Sequence, residues 1–237
     1  MIGPTTTGGD AARFFDAIAG RYERSYAMPA DESRRRMRRV LGELPPAPAS
    51  VLDLGVGTGR ELTALLDAGY VPTGVDVSRE MLRRCARRSR PVALVHADFW
   101  QPLPFADATF DAAVALHGTL AHPPDAGALE RLARELARIV RPAGVWVVEA
   151  PSPAWLAGVE GAPEPREWCV RRTGPQTCVY EDRVVGASIE ARVLSEEQWR
   201  SALHRHWSPR VVALSEAEWL VVSCRAGHDA SARDERE

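Results

Sequence analysis

Apolar residues along this chain change their spacing at two places, near residues 49 and 150, and the changes divide it into three stretches. From Asp10 onward Phe14, Phe15, Ile18 and Tyr22 recur at helical spacing, which predicts an N-terminal helix with all four on one side. A second helix is expected over 31–44, where arginines at 34, 35, 36, 38 and 39 read as a solvated face, and Pro45-Pro46-Ala47-Pro48 ends it. Beyond Ala49 short apolar runs alternate with amphipathic segments. Strands are expected at 51–54, 71–77, 92–97, 110–116 and 145–149. Helices are expected at 60–68, at 78–89 with Ser78 as N-cap, and at 125–141 with Asp125 as cap. Strands separated by helices need crossover connections, so this middle stretch predicts a parallel sheet covered on both faces.

After Ala150 the regularity breaks. Residues 151–166 are proline-rich and aperiodic, the pattern of a loop or lid, and two β-like stretches follow near 167–173 and 176–185. A helix capped by Ser195, with Trp199 and Leu203 on one side, leads into a closing antiparallel hairpin at 210–214 and 219–224. The expected organisation is therefore one domain over 10–226 between polar tails at 1–9 and 227–237. Within it lie a helical cap at 10–48, a core at 49–150, an insertion at 151–193 and a closing unit at 194–226.

Composition narrows the possibilities. The 237 residues are 45% hydrophobic and 26% charged with a net charge of −2, so there is no basic footprint of a dedicated nucleic-acid binder. No apolar run is long enough to span a bilayer, and the N-terminus has neither the basic nor the apolar region of a secretory signal, so a cytoplasmic protein is expected. Cys85, Cys169, Cys178 and Cys224 form no metal-ligand rhythm and read as free thiols in a reducing compartment. The chain has no lysine, which rules out a lysine base or Schiff base. Monomer and homodimer are both open.

The most informative stretch is Asp53-Leu54-Gly55-Val56-Gly57-Thr58-Gly59-Arg60, a glycine turn between the first strand and its helix. Glycine admits positive φ and lets a ligand approach the backbone, and ligands of such sheets bind beyond the carboxyl ends of the strands. The dinucleotide fingerprint G-x-G-x-x-G is not met, because Arg60 stands where its third glycine belongs. Asp76 ends the second predicted strand, where a carboxylate can accept both hydroxyls of a ribose. Asp98 follows the third and precedes Phe99, pairing an acceptor with an aromatic face. Three strand ends converging in this way describe an adenosine site.

With those residues in place, the sequence resembles the class I, Rossmann-like S-adenosylmethionine-dependent methyltransferases, particularly the type 11 group that acts mostly on small molecules. Four motifs over about 12–150 carry the resemblance. They are Phe15-Asp16-Ala17-Ile18-Ala19-Gly20-Arg21-Tyr22, Val51-Leu52-Asp53-Leu54-Gly55-Val56-Gly57-Thr58-Gly59, Gly74-Val75-Asp76-Val77-Ser78, and Ala97-Asp98 followed by Leu103-Pro104-Phe105-Ala106-Asp107-Ala108-Thr109-Phe110-Asp111. The resemblance implies an α/β fold with a seven-stranded, mostly parallel sheet, helices on both faces and an antiparallel last strand. It implies that Asp53, Gly55, Gly57 and Gly59 hold the methionine moiety of S-adenosylmethionine, Asp76 and Val77 the ribose, and Asp98 and Phe99 the adenine. Leu116 and His117 would then lie beside the sulfonium, with Tyr22 closing over the site.

A methyl group on sulfonium is already activated, so the protein has mainly to align an acceptor and exclude water. A base is needed only for a hydroxyl or protonated amine, and His117 and His122, after the fourth strand, are the candidates. Glu149, at the end of the fifth predicted strand, could orient either histidine or bind a cationic substrate. The expected acceptor is a small molecule, methylated on oxygen, nitrogen or carbon, with no nucleic acid, membrane or metal involved. An RNA or protein acceptor would require 31–44 and 151–193 to form one basic face. A non-catalytic binder of an adenosine ligand is the reading from another class.

Overall fold

The structure is a computed structural model and describes residues 8–159 and 167–225. Three helices come first, α1 (Gly8–Ile18), α2 (Tyr22–Ser25) and α3 (Ala30–Glu43). The middle stretch follows as β1 (Ser50–Leu54), α4 (Leu62–Asp67), β2 (Val71–Asp76), α5 (Arg79–Arg88), β3 (Ala93–His96) and β4 (Phe110–Ala115). A 3-10 turn at Thr119–Ala121 then leads to α6 (Ala128–Ile139) and β5 (Val140–Pro151). The C-terminal part comprises α7 (Pro153–Gly158), β6 (Trp168–Arg172), β7 (Thr177–Asp182), β8 (Ala187–Arg192), α8 (Glu196–Leu203), β9 (Trp207–Ala213) and β10 (Glu218–Arg225).

Seven strands form one sheet in the order β3-β2-β1-β4-β5-β10-β9. Pairing is parallel from β3 through β5, while β10 runs antiparallel to both β5 and β9, so β10 alone opposes the rest. The order reverses at β1, where β2 and β4 flank it, and ligands of doubly wound sheets bind at such a switch point. Period-two alternation splits the core. Leu52, Leu54, Ala113, Ala115, Trp146 and Val148 face α6 and α8, whereas Val51, Ala112, Val114, Val145 and Val147 face α3 and α4. Trp207 is buried against α6 and donates its indole N–H to the Ala133 carbonyl at 2.8 Å.

The second sheet, β6-β7-β8, is antiparallel and stands apart from the first. Phe14 and Ile18 of α1 pack between Met81 of α5 and Ile189 of β8, so the N-terminal helix bridges the two sheets. Asp16 tightens this joint by accepting hydrogen bonds from the Ser78 hydroxyl (2.5 Å) and the Glu80 N–H (3.0 Å) at the start of α5.

Several expectations change in the folded chain. Gly8 and Gly9 belong to α1 rather than to a tail, while 1–7 and the expected tail at 227–237 lie outside the described residues. The first helix stops at Ile18 and turns through Gly20, so Tyr22 opens a separate short helix. Part of the expected 151–166 loop is α7, which begins with two ordinary start signals. Ser152 caps it by accepting the Trp155 N–H at 3.2 Å, and Pro153 occupies the first turn; 160–166 lie outside the described residues. Gly127, not Asp125, caps α6, although Asp125 shapes the preceding turn by accepting the Gly127 N–H at 2.8 Å. The fifth strand continues past Glu149 to Pro151 because β10 pairs along it. A third strand, β8, completes the insertion. Among the described residues no helix is long and apolar enough to cross a membrane, and no cluster of His, Cys, Asp or Glu could hold a metal.

Candidate active site

The turn after β1 carries three glycines at positive φ, Gly55 (+66°), Gly57 (+54°) and Gly59 (+79°), and they serve different ends. A Cβ on Gly55 would fall 2.5 Å from the Thr119 methyl, and one on Gly59 would fall 2.7 Å from the Cys85 sulfur, so these two glycines permit the protein's own packing. A Cβ on Gly57 would meet nothing nearer than the Gly55 carbonyl at 3.8 Å. That glycine borders open space in the cleft, where a ligand can approach the backbone.

Four carboxylates line this cleft, Asp53, Glu61, Asp76 and Asp98, against the cations of Arg60 and His117. Asp53 is 3% exposed and its Oδ2 has no hydrogen-bond partner. Burial, then the charges of Glu61 and Asp76, push its carboxyl well above the usual range. Asp76 accepts the Gly57 N–H on Oδ2 and the Ser78 N–H on Oδ1, each at 2.8 Å, and each oxygen retains a second lone pair. Burial outweighs these hydrogen bonds and raises its pKa to about 6. Asp98 uses Oδ1 to accept the Trp100 N–H at 3.0 Å, and the buried rings of Phe99 and Trp100 meet 5.1 Å apart beside it. Val77 lies on the same wall. An acidic cleft with an orphaned buried carboxylate, an open glycine and apolar rings fits a cationic nucleoside such as S-adenosylmethionine.

Leu116 and His117 follow β4 at the floor of the cleft, with His117 at φ +53°. The His117 Nε2 bonds to the Glu61 carboxylate, and its Nδ1 lies 3.7 Å from Glu149. Its backbone N–H donates to Glu149 Oε2 at 2.8 Å. Burial opposes charge on the ring, but the bond to Glu61 and the charges of Glu61 and Glu149 prevail and raise its pKa above that of an ordinary imidazole. Glu149 is itself 3% exposed and engaged by Arg36 of α3, whose Nε donates to it at 2.7 Å. Arg36 also holds Glu218 of β10 at 2.9 Å. Glu149 therefore orients His117, and a cationic substrate would have to displace Arg36 or His117 to reach it.

A second hollow, of about 470 Å³, adjoins the cleft and shares Phe15, Tyr22, Arg60, His117, Gly118 and His122 with it. Its wall is a run of aromatic rings, in which Tyr22 meets Tyr26 at 5.0 Å, Tyr26 meets Trp168 at 6.0 Å, Trp168 meets Tyr180 at 6.5 Å and Tyr180 meets Trp155 at 5.9 Å. Arg60 lies over the Tyr22 ring at 5.4 Å. Burial raises the phenol pKa of Tyr22 and pushes that of Tyr26 up to about 12. His122 sits at the seam, its Nδ1 2.7 Å from the Glu190 carbonyl of β8 and its ring edge-on to Phe15. Burial lowers its pKa, so near neutrality the ring is uncharged, and a proton on Nδ1 for Glu190 leaves the lone pair on Nε2.

The folded chain thus brings twelve of the thirteen sequence-predicted residues to these two adjoining spaces; the exception is Gly59, which turns into the packing behind them. It adds Glu61, Arg36, Trp100 and the rings of the second sheet. Trp100 was adjacent to a named motif, and Glu61 follows the glycine turn directly; nothing local marks Trp155, Trp168 or Tyr180.

Comparison with known proteins finds methyltransferases. Residues 51–144 match the family described as Methyltransferase domain. A protein of Micromonospora griseorubida, provisionally named a 23S rRNA (guanine-N(1)-)-methyltransferase, is 37% identical over 152 residues, covering 60% of this chain and 47% of its own. A demethylmenaquinone methyltransferase of Corynebacterium kroppenstedtii is 36% identical over 137 residues, covering 57% of each. The chain spans about half the length of these curated relatives. A crystal structure of an S-adenosylmethionine-dependent methyltransferase from Clostridium acetobutylicum shares the fold, with a TM-score of 0.69 at 16% identity over 90% of this chain and 99% of that one.

Proposed function

We propose that this chain, whose residues 51–144 match a methyltransferase domain and whose fold is that of an S-adenosylmethionine-dependent methyltransferase, is a class I, Rossmann-like S-adenosylmethionine-dependent methyltransferase that methylates an oxygen or nitrogen of a small-molecule acceptor in the cytoplasm. The observation that carries this reading is the seam at His122, where an acid-lined cleft opens onto an aromatic hollow. When bound, S-adenosylmethionine supplies a methyl group already activated on sulfonium. Asp53 and the backbone of Gly55 and Gly57 bind its ammonium end, Asp76 and Val77 its ribose, and Asp98 with Phe99 its adenine, while Gly59 gives the turn its shape. Leu116 and His117 form the floor, and Tyr22, with the cap, excludes water from above.

The acceptor occupies the aromatic hollow, and His122 takes the proton of its hydroxyl or ammonium on Nε2. His117 is unsuited to that task because Glu61 and Glu149 favour its protonated form. It instead holds the backbone after β4 against Glu149. A tritium-methyl transfer screen over phenols, amines, amino sugars and quinone precursors identifies the acceptor. With a hydroxyl acceptor, His122→Gln should lower kcat by about 10²–10⁴-fold and leave the affinity for S-adenosylhomocysteine unchanged. Parent turnover should rise with pH and level off below the ordinary histidine pKa. Equal kcat in parent and variant removes His122 from the reaction.

A further inference from the structure

On the far side of the glycine turn, a separate cleft of about 340 Å³ runs between the α1–α2 corner and α5, with Thr58 common to it and the acidic cleft. Its walls carry Arg21, Arg24, Arg84, Arg87 and Arg88, with Glu23 as the acidic member. Glu23 is already matched, since it bonds to Arg88 and to the Thr58 hydroxyl and lies 3.6 Å from Arg60. Arg21 is held by Asp182 and Glu167. Arg24, Arg84 and Arg87 meet no carboxylate among the described residues. Two guanidinium Nε donors on this cleft, those of Arg21 and Arg84, are buried without a hydrogen-bond partner. Arg21 is 7% exposed, so its donor has little access to water. Buried donors left unmatched are rare and costly, and charged ones more so.

We infer that this arginine-lined cleft is a binding site for the phosphate group of a ligand. Guanidinium forks recognise phosphate oxygens with paired N–H donors, and three of the five around this opening, Arg24, Arg84 and Arg87, are left without a carboxylate once Arg21 and Arg88 are matched. The chemistry has two possible sources, a phosphorylated small molecule or the backbone of an RNA, and both present the same oxygens. The sequence placed basic character on 31–44, but there Arg35 is paired with Asp31 and Arg36 is turned onto Glu149 and Glu218. Arg34, Arg38 and Arg39 meet no carboxylate among the described residues either, but they are exposed along α3, whereas Arg24, Arg84 and Arg87 converge on one cleft.

The test is calorimetry on the full chain at low salt with inorganic phosphate, ribose 5-phosphate and a ten-nucleotide oligoribonucleotide, comparing the parent with an Arg84→Gln/Arg87→Gln variant. Saturable binding of at least one of them, weakened about tenfold or more in the variant with S-adenosylhomocysteine affinity unchanged, is expected. Tightest binding of ribose 5-phosphate assigns a small phosphorylated ligand. Tightest binding of the oligonucleotide, with a salt slope reduced in the variant, assigns RNA. Arg87→Glu, at an exposed position, repeats the comparison if the double variant does not fold. No saturable binding by the parent, or equal binding by the variants, overturns the site.

Discussion

Asp76 is pulled in two directions, because two backbone donors favour its charge while burial opposes it more strongly, leaving its pKa at about 6. A carboxyl raised in this way supports the ligand-free fold below the ordinary carboxylate value, and that support is lost as pH rises through about 6. Ribose hydroxyls need the ionised form as acceptor, so ligand binding has the opposite dependence. Affinity for S-adenosylhomocysteine should climb between pH 5 and 7 with a midpoint near 6. Asp76→Asn should flatten that rise, and calorimetry across this range checks both. Gly57 and Gly59 separate in the same manner. An alanine at either adopts positive φ at a cost of roughly 1–2 kcal/mol. Gly59→Ala also drives its Cβ into the Cys85 sulfur and to 3.2 Å from Leu62, adding about 1–3 kcal/mol of overpacking. Gly59→Ala should therefore show the larger fall in Tm, while Gly57→Ala should keep most of its stability and lose cofactor affinity. Equal Tm losses would contradict this division. The spacing of the motif discloses all three glycines, but only the folded neighbours reveal which one borders open space in the cleft.

Between elements, Arg36 joins α3 to β5 and β10 through Glu149 and Glu218, at 113 and 182 residues' separation. Arg36→Met leaves Glu149, 3% exposed, without its strongest cation, and breaking a buried pair from one side costs about 3–5 kcal/mol. The double variant Arg36→Met/Glu149→Gln should recover much of that loss in urea unfolding, and strict additivity would deny the coupling. Arg36 was hidden in the sequence by its neighbours. Five arginines within six positions read as one solvated face, although 36 shares a helix side with Val40, which is buried. The core strands were readable because each is a bounded apolar run. β8 is not marked by the pattern of the sequence although alternation is present, with Ile189, Ala191 and Val193 inward and Ser188 and Arg192 outward. Its inward residues are too few and small to announce a strand until β7 lies beside them. Tyr22 kept its place at the site despite the break before it, because Gly20 turns the chain and Arg21 anchors that turn.

Across the whole molecule, the aromatic hollow lies between the N-terminal cap and the second sheet, and its closure depends on how those parts are fastened. Arg21 is the fastening. Its Nη1 donates to Asp182 at 2.6 Å, and Asp182, with no exposed surface, also accepts the Val184 N–H at 3.0 Å, fixing the β7–β8 turn. Glu167 holds the other arm of the same guanidinium. Residues 51–144 have no share in this contact, so loosening it should open the hollow and leave intact the wall of the acid-lined cleft that 51–144 supplies. In Asp182→Ala, Arg21 loses the partner that matches its buried charge. Amide hydrogen exchange should accelerate in 8–26 and in 168–192 while 51–144 keeps its protection, which is the behaviour of a separately opening unit. The acceptor KM should rise by a larger factor than the Kd for S-adenosylhomocysteine, since both spaces share Phe15 and Tyr22 but only the hollow is walled by Trp155, Trp168 and Tyr180. Loss of protection throughout 51–144 would mean that cap, insertion and core open as a single cooperative body. Domain limits drawn at 48, 150 and 193 would then describe the sequence pattern and not the energetics.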